Sequence, residues 1–147
     1  MIPTHIILHH SLTADGYTVS WGPIRRYHTQ DLGWRDIGYH FGIERVGDYL
    51  EILCGRQPYD TGAHTKGMNG KAIGICFVGN FDKAPPPDGV WQKGLELCEW
   101  LCRAFTIPVC NVQGHREYAD YKSCPGTQFD LVKFRSELAG RLTKGVL

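Results

Sequence analysis

Apolar and polar positions along the chain fall into short runs that predict a mixed α/β architecture. Thr4 to His10 places Ile6, Ile7 and Leu8 in succession. It reads as a strand apolar on both faces, which suits a central place in a covered sheet. Ala72 to Val78 has the same character. Gly38 to Arg45 and Tyr49 to Leu53 flank the turn Gly47-Asp48 and read as a hairpin. Ser20, Pro23 and the stretch Ile24 to Leu32, closed by Gly33, give an N-cap, an early proline, a helix and a stop. Val90 to Phe105 is the longest helical pattern, with Leu95, Leu97, Cys98, Leu101, Cys102 and Phe105 along its apolar stripe. Trp100 is expected in the core of that helix. Asn111 to Gly114 is a short strand leading into His115, and Asp130 caps a last helix that carries Leu131, Phe134, Leu138 and Leu142 on one face. These elements predict one α/β domain over residues 1–147, a central mixed β-sheet flanked by about three α-helices, with no second domain.

The segments between these elements are polar or stiff. Asp60 to Gly70 is Gly-rich and reads as a loop, and Ala84-Pro85-Pro86-Pro87-Asp88 is a surface connection that cannot be helix interior. There is no repeat, no low-complexity tract and no apolar run long enough to span a bilayer. The chain has 16 basic and 15 acidic residues for a net charge of +1. That balance argues against nucleic acid or an anionic membrane as partner, because both select basic patches. The start, Met1-Ile2-Pro3-Thr4-His5, lacks a basic segment followed by an apolar stretch, so no signal peptide is expected. Six cysteines without any CxxC are expected to be free thiols, with Cys98 and Cys102 as buried helix-face residues.

Two segments carry the candidate chemistry. One is Ile6-Ile7-Leu8-His9-His10-Ser11, where histidines end a strand. The other is Gly114-His115-Arg116-Glu117 followed by Lys122-Ser123-Cys124-Pro125-Gly126. Eight residues separate His115 from Cys124, enough for a loop that turns both toward one point. Two imidazoles and one thiolate make a three-ligand zinc site in a surface cleft with a fourth position open, the catalytic type. Adjacent strand residues point to opposite faces, so periodicity does not choose between His9 and His10. Glu117 is expected to pair with Arg116 or Lys122, and His28 to be a partly exposed helix histidine. Trp21, Trp34 and Trp91 are assigned no sugar contact.

The chain resembles the type 2 N-acetylmuramoyl-L-alanine amidases, the group of phage-type amidase lysozymes and peptidoglycan recognition proteins. The resemblance rests on Leu8-His9-His10-Ser11, Gly33-Trp34-Arg35-Asp36-Ile37-Gly38-Tyr39-His40-Phe41 and Gly62-Ala63-His64-Thr65-Lys66-Gly67-Met68-Asn69. It continues through Ile73-Gly74-Ile75-Cys76-Phe77-Val78-Gly79-Asn80, Gly114-His115-Arg116-Glu117 and Cys124-Pro125-Gly126. Six pieces in family order, from about residue 5 to 135, are specific together although each is modest alone.

The resemblance implies that His9, His115 and Cys124 bind Zn2+, and it favours His9 over His10. It sets Tyr39 and Lys122 beside the open coordination position. His64 and Asn69 would lie on the loop that lines the substrate groove. His10 would pack behind the sheet or orient a ligand, and His40 would stand behind the ligands. Tyr39 is expected to hydrogen-bond the attacking water or relay a proton, and Lys122 to stabilise the oxyanion. The implied reaction is hydrolysis of the amide between N-acetylmuramic acid and L-alanine in peptidoglycan by a monomeric phage endolysin. Such an enzyme is made in the host cytoplasm and reaches the cell wall after release by a lysis system. Alternatives are a muropeptide-recycling amidase, a non-catalytic peptidoglycan-binding protein on the same fold, and a zinc-stabilised interaction module. The last requires a fourth, closing ligand.

Overall fold

The computed structural model describes residues 1–13 and 20–144. Residues Ile6, Ile7 and Leu8 lie in strand β1 (His5–His10), and all three are fully buried. The sheet runs β3-β2-β4-β1-β5, with β2 Phe41–Val46, β3 Tyr49–Cys54, β4 Ala72–Phe77 and β5 Val112–Gly114. β1 is parallel to both neighbours, pairing His9 with Cys76 of β4 and Leu8 with Gly114 of β5. β2 and β3 form the antiparallel hairpin at the exposed edge. The strand expected from Gly38 begins instead at Phe41. In the stretch before it, Gly38 O accepts from the Ala63 amide and Tyr39 O from the Arg56 amide, so loops take these bonds and not a strand partner.

One face of the sheet carries α2 (Asp88–Phe105) and α3 (Leu131–Thr143). Ile6, Leu8, Ile73, Ile75 and Phe77 join Leu95, Leu101, Phe129 and Phe134 there in the largest apolar cluster. Asp130 caps α3, accepting from the Lys133 amide at 3.0 Å. Cys98 and Cys102 are buried on the inner face of α2 as expected, but Trp100 is 59% exposed. It lies five residues after Leu95 and one before Leu101, which rotates it off the stripe those residues define.

α1 (Trp21–Arg26) is shorter than Ile24 to Leu32 predicts, and Tyr27–Asp31 continues it as a π-helical turn before Gly33, whose φ is +71°. Its N-terminus is not capped by the Ser20 side chain. The buried carboxylate of Glu44, from β2, accepts from the amides of Ser20 and Trp21 instead. Arg56 ties the loops beyond the sheet together: its guanidinium donates to the carbonyls of Ile37 at 2.9 Å and Thr61 at 2.7 Å.

Candidate metal centre

His9 is the penultimate residue of β1 and His115 follows β5 directly, so both stand at the carboxyl ends of adjacent parallel strands. Crevices at that end of a sheet are where such folds bind ligands. Cys124 arrives on the loop after the 3₁₀ turn His115–Glu117. The ligand atoms of His9, His115 and Cys124 lie within 4.8 Å of one another, close enough to hold one metal ion. Nδ1 of His9 is 3.6 Å from the Cys124 sulfur. Alternation along β1 separates the two candidates that periodicity left open. His9 faces the cleft. His10 turns to the helix side, stacks on Phe81 and accepts the Phe81 amide at Nδ1, 3.1 Å away. Its Nε2 is buried with no hydrogen-bond partner among the described residues. The backbone amide of His10 donates to the Cys124 sulfur at 3.4 Å, so His10 serves the site through its main chain.

The loop bearing Cys124 is anchored on both sides. The Arg116 amide donates to Cys124 O at 2.7 Å, and the Arg116 guanidinium reaches Gly126 O at 2.6 Å and Phe129 O at 2.9 Å. Asp82 accepts from Thr127 N at 2.8 Å and Ser123 Oγ at 2.9 Å, bonds that hold its carboxyl below the usual range. Gly126 has φ +124°, and a Cβ there would meet the Phe81 backbone at 2.5 Å. Only glycine lets this turn close against the β4–α2 connection. Glu117 takes the Gly114 amide at 2.7 Å and pairs with Arg135 at 3.0 Å, not with Arg116 or Lys122. The Arg116 side chain is committed to loop carbonyls, and Arg135 comes from α3, which sequence spacing does not reveal.

Electrostatics prepare this set for a cation. Burial pushes His9 well below the usual imidazole pKa, with His64 and His115 adding to the effect. His115 falls to about 4, by burial and then Lys122. Both rings are therefore neutral near pH 7, with lone pairs to give. Burial raises the Cys124 thiol to about 11, against the opposing pull of the His10 amide, Lys122 and Arg116. A thiol so placed ionises when a metal supplies the compensating charge. Two neutral imidazoles and a cysteine that a cation would ionise suit zinc.

Tyr39 borders the same cleft, its ring 5.2 Å from His9. Burial, and then the Cys76 and Cys124 thiols, raise its hydroxyl well above the usual tyrosine pKa. Lys122 lines the cleft as well, with Nζ 5.8 Å over the Tyr121 ring. His28 is not exposed: it is buried beside Trp34 and Tyr39 and accepts the Gly38 amide at 3.0 Å. It misses the exposed helix face because the chain has left regular α-helix at that point. The metal-side cavity measures about 280 Å³. Through Ser11, His28 and Tyr39 it adjoins a groove of about 490 Å³ walled by Pro23, Ile24 and Tyr27.

His64 lines the cleft against His9, while Asn69 braces its loop, its Oδ1 accepting from the amides of His64 at 2.7 Å and Thr65 at 2.8 Å. Nε2 of His9 is 3.0 Å from Nδ1 of His64 and 3.2 Å from Thr65 Oγ. His40 stands behind His64, accepting the Gly74 amide at 3.0 Å and reaching Asp60 O at 2.8 Å. Thr65 is the contact that sequence reasoning missed. Its place immediately after His64 was the available signal.

The family of N-acetylmuramoyl-L-alanine amidases matches residues 1–127. The endolysin of Escherichia phage T7 is 40% identical over 134 residues, spanning 88% of this chain and 83% of that protein. Among solved structures, the N-acetylmuramoyl-L-alanine amidase LysC from Clostridium intestinale URNW superposes with a TM-score of 0.80 at 26% identity, covering 94% of this chain and 86% of that one. A mutant of Drosophila PGRP-LB in complex with tracheal cytotoxin gives a TM-score of 0.79 at 30% identity, covering 92% and 82%.

Proposed function

The chain belongs to the N-acetylmuramoyl-L-alanine amidase family, and from that membership we propose that it is a zinc-dependent amidase of peptidoglycan. It cleaves the amide between N-acetylmuramic acid and L-alanine as a monomeric phage endolysin. The observation that carries the reading is the convergence of His9, His115 and Cys124, three ligand atoms within 4.8 Å. No fourth cysteine, histidine or carboxylate joins that group among the described residues, which favours a catalytic site over a structural one.

When bound, zinc supplies a Lewis acid that polarises a carbonyl and makes water nucleophilic near neutral pH. His9, His115 and Cys124 hold it. Tyr39, kept protonated by its burial, donates a hydrogen bond to the reacting oxygen. Lys122 brings a cationic donor to the rim, where negative charge gathers on the carbonyl oxygen. The Gly62–Asn69 loop walls the cleft beside His9. The adjoining groove, apolar on its Pro23–Ile24–Tyr27 wall, takes the glycan or the stem peptide. The enzyme is made in the host cytoplasm and acts on the wall after release. No helix among the described residues is long and apolar enough to cross a membrane.

The test is chemical analysis of peptidoglycan digested by the purified chain. New L-alanine amino termini without new reducing sugars are expected. New reducing ends would mean glycosidase chemistry and would overturn the proposal.

A further inference from the structure

The two nitrogens of His9 face different neighbours. Nδ1 lies 3.6 Å from the Cys124 sulfur, and Nε2 lies 3.0 Å from Nδ1 of His64. Which nitrogen carries the proton decides whether His9 can be a ligand there, since a protonated ring nitrogen has no lone pair to give. The answer is imposed from the far end of a bond chain. Nε2 of His64 lies 3.1 Å from the carbonyl oxygen of Ala72. A carbonyl only accepts, so Nε2 of His64 holds its proton, and the neutral ring keeps a lone pair on Nδ1. That lone pair faces Nε2 of His9 and, at 2.9 Å, the Thr65 hydroxyl.

Were the His9 proton on Nδ1, two nitrogen lone pairs would oppose each other across 3.0 Å, with one Thr65 proton between them. With the proton on Nε2, every contact pairs a donor with an acceptor, and Nδ1 of His9 is left open toward Cys124. The His64 ring is also fixed in place. A Cβ on Gly74 would come within 2.6 Å of its Cγ and Cδ2, and a Cβ on Gly62 within 2.6 Å of its Cδ2. The imidazole thus occupies a slot that exists only because both positions are glycine.

We propose that His64 is a positioning residue: anchored on the Ala72 carbonyl, it fixes His9 in the tautomer that presents Nδ1 to the metal. The inference rests on the zinc reading above. Ligating histidines commonly donate their second N–H to a carbonyl or carboxylate, and loss of such a partner weakens metal binding about 10- to 100-fold. Here the partner is a second imidazole whose own tautomer is set by the backbone.

The test combines zinc affinity, from competition with a chromophoric chelator, with ¹⁵N NMR of the histidine rings in the full chain. His64→Ala is expected to weaken zinc binding about 10- to 100-fold. His64→Asn, which can set an amide oxygen near the former Nδ1, is expected to recover most of that loss. In the wild-type protein, zinc-loaded or metal-free, His64 and His9 should each carry the proton on Nε2. A His64 protonated on Nδ1 would overturn the proposal, as would His64→Ala binding zinc as tightly as wild type. If His64→Ala fails to fold, the wild-type ring spectra alone decide. Failure of the zinc reading is distinguishable: the wild-type chain would then take up no zinc, while its metal-free spectra would still report both tautomers.

Discussion

On the helix-covered face of the sheet, β1 and β4 present Ile6, Leu8, Ile73, Ile75 and Phe77; on the opposite face the same strands present Ile7, His9, Ala72, Gly74 and Cys76. The first set is large and apolar, and it interdigitates with Phe129, Phe134 and Leu95. The second set is mostly small. Its missing volume is filled by rings brought in from loops and α1: His64 lies where a Gly74 Cβ would be, and on neighbouring β2, beside Cys76, Trp21 lies where a Gly42 Cβ would be. The period-two alternation of a strand thus lets one segment hold the core with alternate residues and supply chemistry with the others. Stability is concentrated on one face. On the other, small strand residues make room for polar rings tied down by hydrogen bonds.

The sharpest way to break this division is Cys124→Ser. An alcohol is rarely deprotonated and is a poorer zinc ligand, so hydrolysis should fall by about 1000-fold or more. The metal-free variant should melt where metal-free wild type does, because the helix-side core is untouched. Coincident loss of the fold would show that the two faces are not separable. On the other side, Phe134→Ala empties a fully buried ring site against Phe77, Trp91 and Phe129. It should cost about 3–5 kcal/mol in urea unfolding, while the molecules that remain folded keep their zinc.

Tyr39→Phe removes one hydroxyl from the cleft. Turnover should drop about 100- to 1000-fold with zinc content unchanged, and wild-type turnover would reduce Tyr39 to a packing residue. Gly74→Ala probes the seam between the two faces. Its Cβ intrudes on the His64 ring, so the expected cost is about 1–3 kcal/mol in unfolding. Zinc affinity should fall with it, read by the same chelator competition. Unchanged affinity would mean that the ring slot does not transmit to His9.

The helix-side face was legible in the sequence, because apolar runs at period two and at helical spacing report burial directly. The paired apolar strands and the inner face of α2 follow from that signal, and the hairpin around Gly47 and the Asp130 cap follow from local turn and capping chemistry. The opposite face was legible only as a set of chemistry-bearing residues. That His9 and not His10 faces the cleft depends on which side of β1 the helices cover. Glu44 capping α1 and Arg135 pairing with Glu117 are contacts between elements distant in sequence, and the burial of His28 depends on a π-helical turn, none of which a regular period reveals. The contact of His64 with His9 spans 55 residues and needs two glycines whose role appears only when the ring sits between them.

On the proposed reading, hydrolysis depends on a zinc centre held by His9, His115 and Cys124. The most direct test measures metal content and peptidoglycan hydrolysis on one sample before chelation, after it, and after zinc is returned. One zinc per chain is expected at the start, none with little hydrolysis after stripping, and both restored by zinc. An active chain that contains no transition metal would contradict the account.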